Sequence, residues 1–231
     1  MSYASPETFP RVLLQHETID STVAIVGLTH VVPQSRVGMY HEVAKYAQTR
    51  LTLPHSTVHY EMAELPDVAE EQEFAQRNPA AYHSAIVNDD LMGKVITLLC
   101  LVEQESALYN PHISSDWANH DATAIEIVEQ ESTQDVIEEN SELEVFYKQL
   151  LQATPEARIK KGEEIFRELF EGGVSVVEMS EHGSEREDIA VNAVLRELLL
   201  GTRHFTLLWG MDHLLNLQHA FELQGYKTVK G

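Results

Sequence analysis

Val23-Ala24-Ile25-Val26-Gly27-Leu28-Thr29-His30 is an apolar run closed by a glycine, with a histidine three residues beyond it. Near the other end of the chain, Leu207-Leu208-Trp209-Gly210-Met211-Asp212-His213 repeats the arrangement. A short apolar run bounded by a turn signal reads as a buried strand. Glycine at its end lets the chain turn sharply and leaves room for a group to approach the backbone. The histidine then falls at the carboxyl edge of a sheet, where open α/β folds collect ligands. Two such histidines can face one metal or one substrate, and neutral imidazole suits zinc, manganese, cobalt or iron. With 11 glycines and 12 histidines in 231 residues, about 0.6 Gly-x-x-His matches arise by chance. The strand context therefore carries the reading, and two unrelated histidines at loop edges stand as its rival.

Working outward, Ser35 reads as the cap of a helix bearing Val37, Tyr40, Val43, Ala44 and Ala47. Val58, Tyr60 and Met62 alternate with polar residues, which predicts a strand near 56–62. Asn78-Pro79 opens an apolar-periodic helical stretch from 80 to about 105, closed by Asn110-Pro111, and Ala122 to Val128 reads as a strand. Residues 129–171 are rich in Glu and in helix formers, with Pro155 starting a second helix; their charge reads as a solvated face. Beyond the Gly172-Gly173 break, Ser184 precedes a helix running to Leu200. Phe205 to Trp209 is a strand ending at Gly210, and a helix over 214–223 follows. Gly225 ends that helix, and Tyr226 to Val229 forms a last strand. Strands alternating with helices predict an α/β fold with a mixed or parallel sheet. With no linker-like segment, the expectation is a single domain over 1–231, with a core at 23–229 and a helical insertion at about 129–171.

Composition narrows the function. Hydrophobic residues make up 43% and charged residues 23% of the chain, ordinary for a globular protein. Lys and Arg total 16 against 37 Asp and Glu, a formal charge of -21, which argues against nucleic-acid or anionic-membrane partners. Cys100 is the single cysteine, so no disulfide framework or Cys-rich metal site is expected. Flanked by Leu98-Leu99 and Leu101-Val102, it reads as a buried core residue. No run approaches the roughly 18–20 apolar residues of a membrane span. The start, Met1 to Glu7, lacks the basic and apolar parts of a secretory signal, so a cytoplasmic location is expected.

A two-histidine metal site needs a further donor, and a hydrolytic one needs a base. Glu61, in Thr57-Val58-His59-Tyr60-Glu61-Met62, closes the second predicted strand and can reach the same sheet edge as His30. Its competing reading is a surface carboxylate on an edge strand, and Glu64 competes for the role if the register slips. His41-Glu42-Val43-Ala44-Lys45 begins like a zinc-protease helix, but lysine stands at the second ligand position. His55 with His59, and His112 with His120, read as surface or turn histidines, and His182 as an outside candidate for substrate contact. Trp117 and Trp209 read as core or pocket-lining residues. There is no Gly-x-Ser-x-Gly elbow and no Walker or dinucleotide loop.

Four segments together resemble the TraB/PrgY and Tiki group, which is related more distantly to ChaN-like haem-binding proteins and EreA-like erythromycin esterases. They are Gly27-Leu28-Thr29-His30 with the following Ser35, Pro54 through Glu61, Ser184-Glu185-Arg186-Glu187-Asp188-Ile189-Ala190, and Gly210-Met211-Asp212-His213-Leu214. The resemblance implies an EreA/ChaN-like α/β fold, a mixed sheet flanked by helices with an internal pseudo-repeat of strand, Gly-x-x-His and helix. It implies that His30, Glu61 and His213 bind a divalent cation around the reaction centre. Arg186 would orient a carboxylate or stabilise negative charge developing on the substrate. The implied activity is metal-dependent hydrolysis of a peptide, ester or amide, so a peptide or small molecule is the expected substrate. One alternative is a non-enzymatic protein holding haem, a metal or a small molecule in the same pocket. Another is an interaction protein that presents the acidic helices at 129–171. A homo-oligomer is left open. Two departures stand out: Asp212 sits where small residues are common, as an added ligand or a helix cap, and no arginine lies between 62 and Arg77, which is too far along to replace one.

Overall fold

The two apolar runs become neighbouring strands. In the computed structural model, which describes residues 8–29, 31–61, 91–103, 118–119, 133–171 and 181–229, β2 (Thr22–Leu28) lies parallel to β7 (His204–Gly210), in register from Thr22↔His204 to Leu28↔Gly210. Both strands are buried from their second residue onward, as continuous apolar runs are when helices cover both faces of a parallel sheet. β4 (Ser56–Tyr60) pairs parallel with the other side of β7, and β6 (Ala118–Asn119) lies parallel to β4. β1 (Arg11–His16) runs antiparallel to β2, and β8 (Tyr226–Thr228) antiparallel to β1. The mixed sheet has the order β6-β4-β7-β2-β1-β8. A separate two-stranded sheet joins β3 (Val31–Pro33) to β5 (Leu101–Glu103).

The described helices are α1 (Gly38–Leu51), α2 (Thr133–Gln152), α3 (Pro155–Glu171), α4 (Glu181–Leu200) and α5 (Leu214–Leu223), together with a helical stretch at 91–98. Alternation along the strands sorts side chains between two cores. Val23, Ile25, Phe205, Leu207 and Trp209 pack with Ala190, Val191 and Val194 of α4 and with Leu214, Leu217 and Phe221 of α5. Val26, Leu28, Val58 and Leu208 meet Tyr40, Val43 and Ala47 of α1, and Phe166 of α3 closes that side. Val95, Leu99 and Leu150 form a third, smaller core. None of the described helices is long and apolar enough to cross a membrane.

Several expectations are revised. β1 has only Leu14 fully buried among its six residues, so its apolar signal is weak, and its place is set by pairing with both β2 and β8. The helical reading of 80–105 holds at 91–98, after which the chain reverses at Leu99-Cys100 and continues as β5. At that reversal Leu99 turns inward and Cys100, with a φ of 54°, is exposed rather than buried in the core. Ser35 does not cap α1: a 3-10 turn at Gln34–Arg36 intervenes, no side chain caps the helix, and the Ser35 hydroxyl donates to Glu163 Oε1 at 2.5 Å. The strand expected over 122–128 lies outside the described residues.

Gly27 is needed for space. A Cβ there would stand 3.1 Å from the Met211 Cα and 3.5 Å from the Leu214 Cβ, so the first motif's glycine is where the backbone of the second motif presses in. Gly27→Ala should destabilise the fold by about 1–3 kcal/mol, the usual cost of overpacking, read as a lower Tm in thermal unfolding. Gly38→Ala is the control: its Cβ meets nothing within 4 Å, so its Tm should hold or rise.

Candidate functional site

Three parallel strands end at one edge. The pairings Leu28↔Gly210 and Tyr60↔Leu208 bring the carboxyl ends of β2, β7 and β4 side by side. Glu61 extends β4 by one backbone bond, its N–H donating to Leu208 O at 2.9 Å. Its side chain then turns back, and Oε2 accepts the Gly210 N–H at 2.5 Å. The residue is 3% exposed and β4 lies between β6 and β7. Glu61 is therefore no edge-strand surface carboxylate.

His213 ends the 3-10 turn Met211–His213 and stands at the N-terminus of α5. Its ring is held on three sides. Nδ1 lies 2.9 Å from Glu187 Oε1, Nε2 lies 3.4 Å from Glu61 Oε1, and the Trp209 ring meets it edge-on at 5.6 Å between centroids. Glu187, on α4, is 4% exposed, and the same Oε1 accepts a hydrogen from Asn216 Nδ2 at 3.0 Å. Glu61, His213, Glu187 and Asn216 thus form one connected chain of polar groups beneath α4 and α5.

The first motif is anchored on either side of His30. Tyr40, fully buried on α1, donates its hydroxyl to Thr29 O at 2.7 Å, and Thr29 Oγ1 donates to Val31 O at 3.0 Å. Burial pushes the Tyr40 pKa up, so the phenol keeps the proton it donates. His30 itself lies outside the described residues, as do Glu64, Arg77, His112, Trp117 and His120. Arg186 has its backbone in α4, one residue before Glu187, but its side chain, like that of His182, lies outside the described residues.

Of the residues picked from sequence, Glu61 and His213 are brought together. Asp212 is exposed and makes no side-chain cap at either helical start, so the capping role is withdrawn. His55 sits in an exposed turn at a φ of 56°, whereas His59 is fully buried with Nε2 at 3.3 Å from Glu197 Oε2, so the two do not form a pair. His41, Glu42 and Lys45 lie on the solvent side of α1, and Trp209 is core as well as site. Sequence reasoning missed Glu187 and Asn216. A signal for Glu187 existed: it shares the helical spacing of Ala190, Val191 and Val194, the face that packs on the sheet.

Among the described residues no group of three or more His, Cys, Asp or Glu side chains converges on a point that could hold a metal ion. Glu61 and Glu187 flank opposite nitrogens of the His213 ring, at 3.4 Å from Nε2 and 2.9 Å from Nδ1. Comparison with protein-family models, with curated proteins and with solved structures gave no match.

Glu61→Ala should cost about 1.5–3 kcal/mol by stranding the buried Gly210 N–H without its charged acceptor. Glu61→Gln keeps an oxygen there and should stay near wild type in urea unfolding. Equal losses in the two variants would show that this bond does not fix the edge.

Proposed function

We propose that this protein is a metal-dependent hydrolase acting on a peptide, ester or amide, with an EreA/ChaN-like fold of the Tiki/TraB type. The observation that carries the reading is the 3.4 Å between His213 Nε2 and Glu61 Oε1. That spacing is long for an N–H···O hydrogen bond. It fits two ligands on one ion, since donors about 2.0–2.2 Å from a tetrahedral metal stand about 3.3–3.6 Å apart. The donor chemistry fits as well: imidazole and carboxylate on the ion, with a second carboxylate behind the imidazole. His30, Glu61 and His213 would hold the cation. Bound there, it would polarise a substrate carbonyl and make water more acidic.

The chain's own groups supply the rest. Glu61 divides its oxygens: Oε2 fixes the carboxylate on the Gly210 N–H, and Oε1 lies 3.4 Å from His213 Nε2. From there Oε1 can hold a cation or take the proton of an attacking water and return it to the leaving group. Arg186, one residue from Glu187 on α4, would stabilise the negative charge that develops on the carbonyl oxygen. β2 and β7, each followed by Gly-x-x-His positions and a helix, would be the two halves of the pseudo-repeat. The same site without catalysis would be a haem, metal or small-molecule binding protein.

Protein purified without chelator should carry near-stoichiometric zinc, manganese, cobalt or iron, and a His30→Ala/His213→Ala variant should carry none. The loaded wild type should hydrolyse members of a panel of peptide and ester reporters, and chelation should abolish this. Equal metal content in wild type and variant would overturn the reading. A haem Soret shift that depends on His213, without hydrolysis, would replace it by the binding role.

A further inference from the structure

We infer that Glu187 is a positioning residue that fixes the His213 ring with hydrogen on Nδ1 and with Nε2 on the side of Glu61. For metal binding this rests on the function proposed above; for the ring itself it stands on contacts alone. Glu187 Oε1 accepts from Asn216 Nδ2 at 3.0 Å and lies 2.9 Å from His213 Nδ1. A carboxylate oxygen already accepting one hydrogen completes its set by accepting a second, which assigns the hydrogen between it and the ring to Nδ1.

Three features make this a built arrangement. Asn216 lies three residues after His213 on α5, the spacing that stacks two side chains on one helix face. Glu187 is held at 4% exposure by the packing of Ala190, Val191 and Val194 against the sheet. Trp209 packs edge-on against the ring at 88°. The contacts therefore hold the ring in one orientation, with Nε2 at 3.4 Å from Glu61 Oε1. A second carboxylate behind a ligating histidine orients the ring and raises its basicity, and losing such a partner usually costs about 10–100-fold in metal affinity.

The test is a long-range 15N–1H correlation spectrum of metal-free protein, with the His213 signals assigned by their loss in His213→Gln. Wild type should show a His213 ring with hydrogen on Nδ1. Glu187→Leu should lose that preference, and Glu187→Gln, which keeps an oxygen acceptor for Asn216 and the ring, should restore it. Zinc titrated into the same proteins should bind Glu187→Leu about 10–100-fold more weakly than wild type. A wild-type ring with hydrogen on Nε2 and none on Nδ1 overturns the inference without any Glu187 variant. So does an Nδ1–H ring that persists in Glu187→Leu, or a Glu187→Gln no better than Glu187→Leu. Should wild type bind no zinc, the hydrolase reading falls while the tautomer still decides the role of Glu187.

Discussion

The hydrogen bond from the Gly210 amide to Glu61 Oε2 is the constraint on which the sheet edge depends. It joins the end of β4 to the turn that leaves β7, and it does so with a side chain only 2% exposed. A carboxylate in that position is expensive unless each oxygen has a partner. One oxygen has a backbone amide and the other faces an imidazole, so position and chemistry are supplied by the same group. Everything else at the edge is arranged around this point. The turn after β7 carries His213, α4 brings Glu187 behind it, and the first motif lies against the second through the close approach of Gly27 to Met211.

The central part of this architecture was legible because its signals are local and strong. β2 and β7 are buried on both faces, so they appear as unbroken apolar runs, and α5 matches its expected bounds because Gly225, at a φ of 89°, ends it. β4 was legible as a strand near 56–62 with Glu61 toward its end, but the polar positions His59 and Glu61 of its alternation are buried. β1 was not legible, because a strand with one fully buried side chain in six shows too little contrast. Cys100 was misread because apolar neighbours on both sides cannot reveal a chain reversal between them. Ser35 was misread because an N-cap and a tertiary hydrogen bond to a residue on α3 have the same local sequence.

The site shows the same division. His213 and Glu61 could be named because glycine spacing and strand ends mark them. Glu187 sits in Glu185-Arg186-Glu187-Asp188, which reads as a charged helix surface until one knows which side of α4 meets the sheet. Its role depends on a partner 26 residues away and on Asn216, 29 residues away, on a different helix. Such relations are tertiary, and only the packing of α4 against α5 brings them into being. A carboxylate interrupting an otherwise apolar helix face is the sequence trace they leave behind.

The pairing of β2 with β7 also sets the order in which this protein can fold. Thr22 and His204, opposite one another in the central strand pair, are 182 residues apart in the chain. β7 is also the strand that separates β2 from β4. During synthesis both β2 and β4 must wait, each with one apolar strand edge open, until residues 204–210 leave the ribosome. Non-local parallel pairing of this kind forms slowly, and open edges invite pairing with other chains. The nascent chain is thus most exposed to aggregation just before β7 arrives, and a truncation short of β7 leaves a sheet split down its middle.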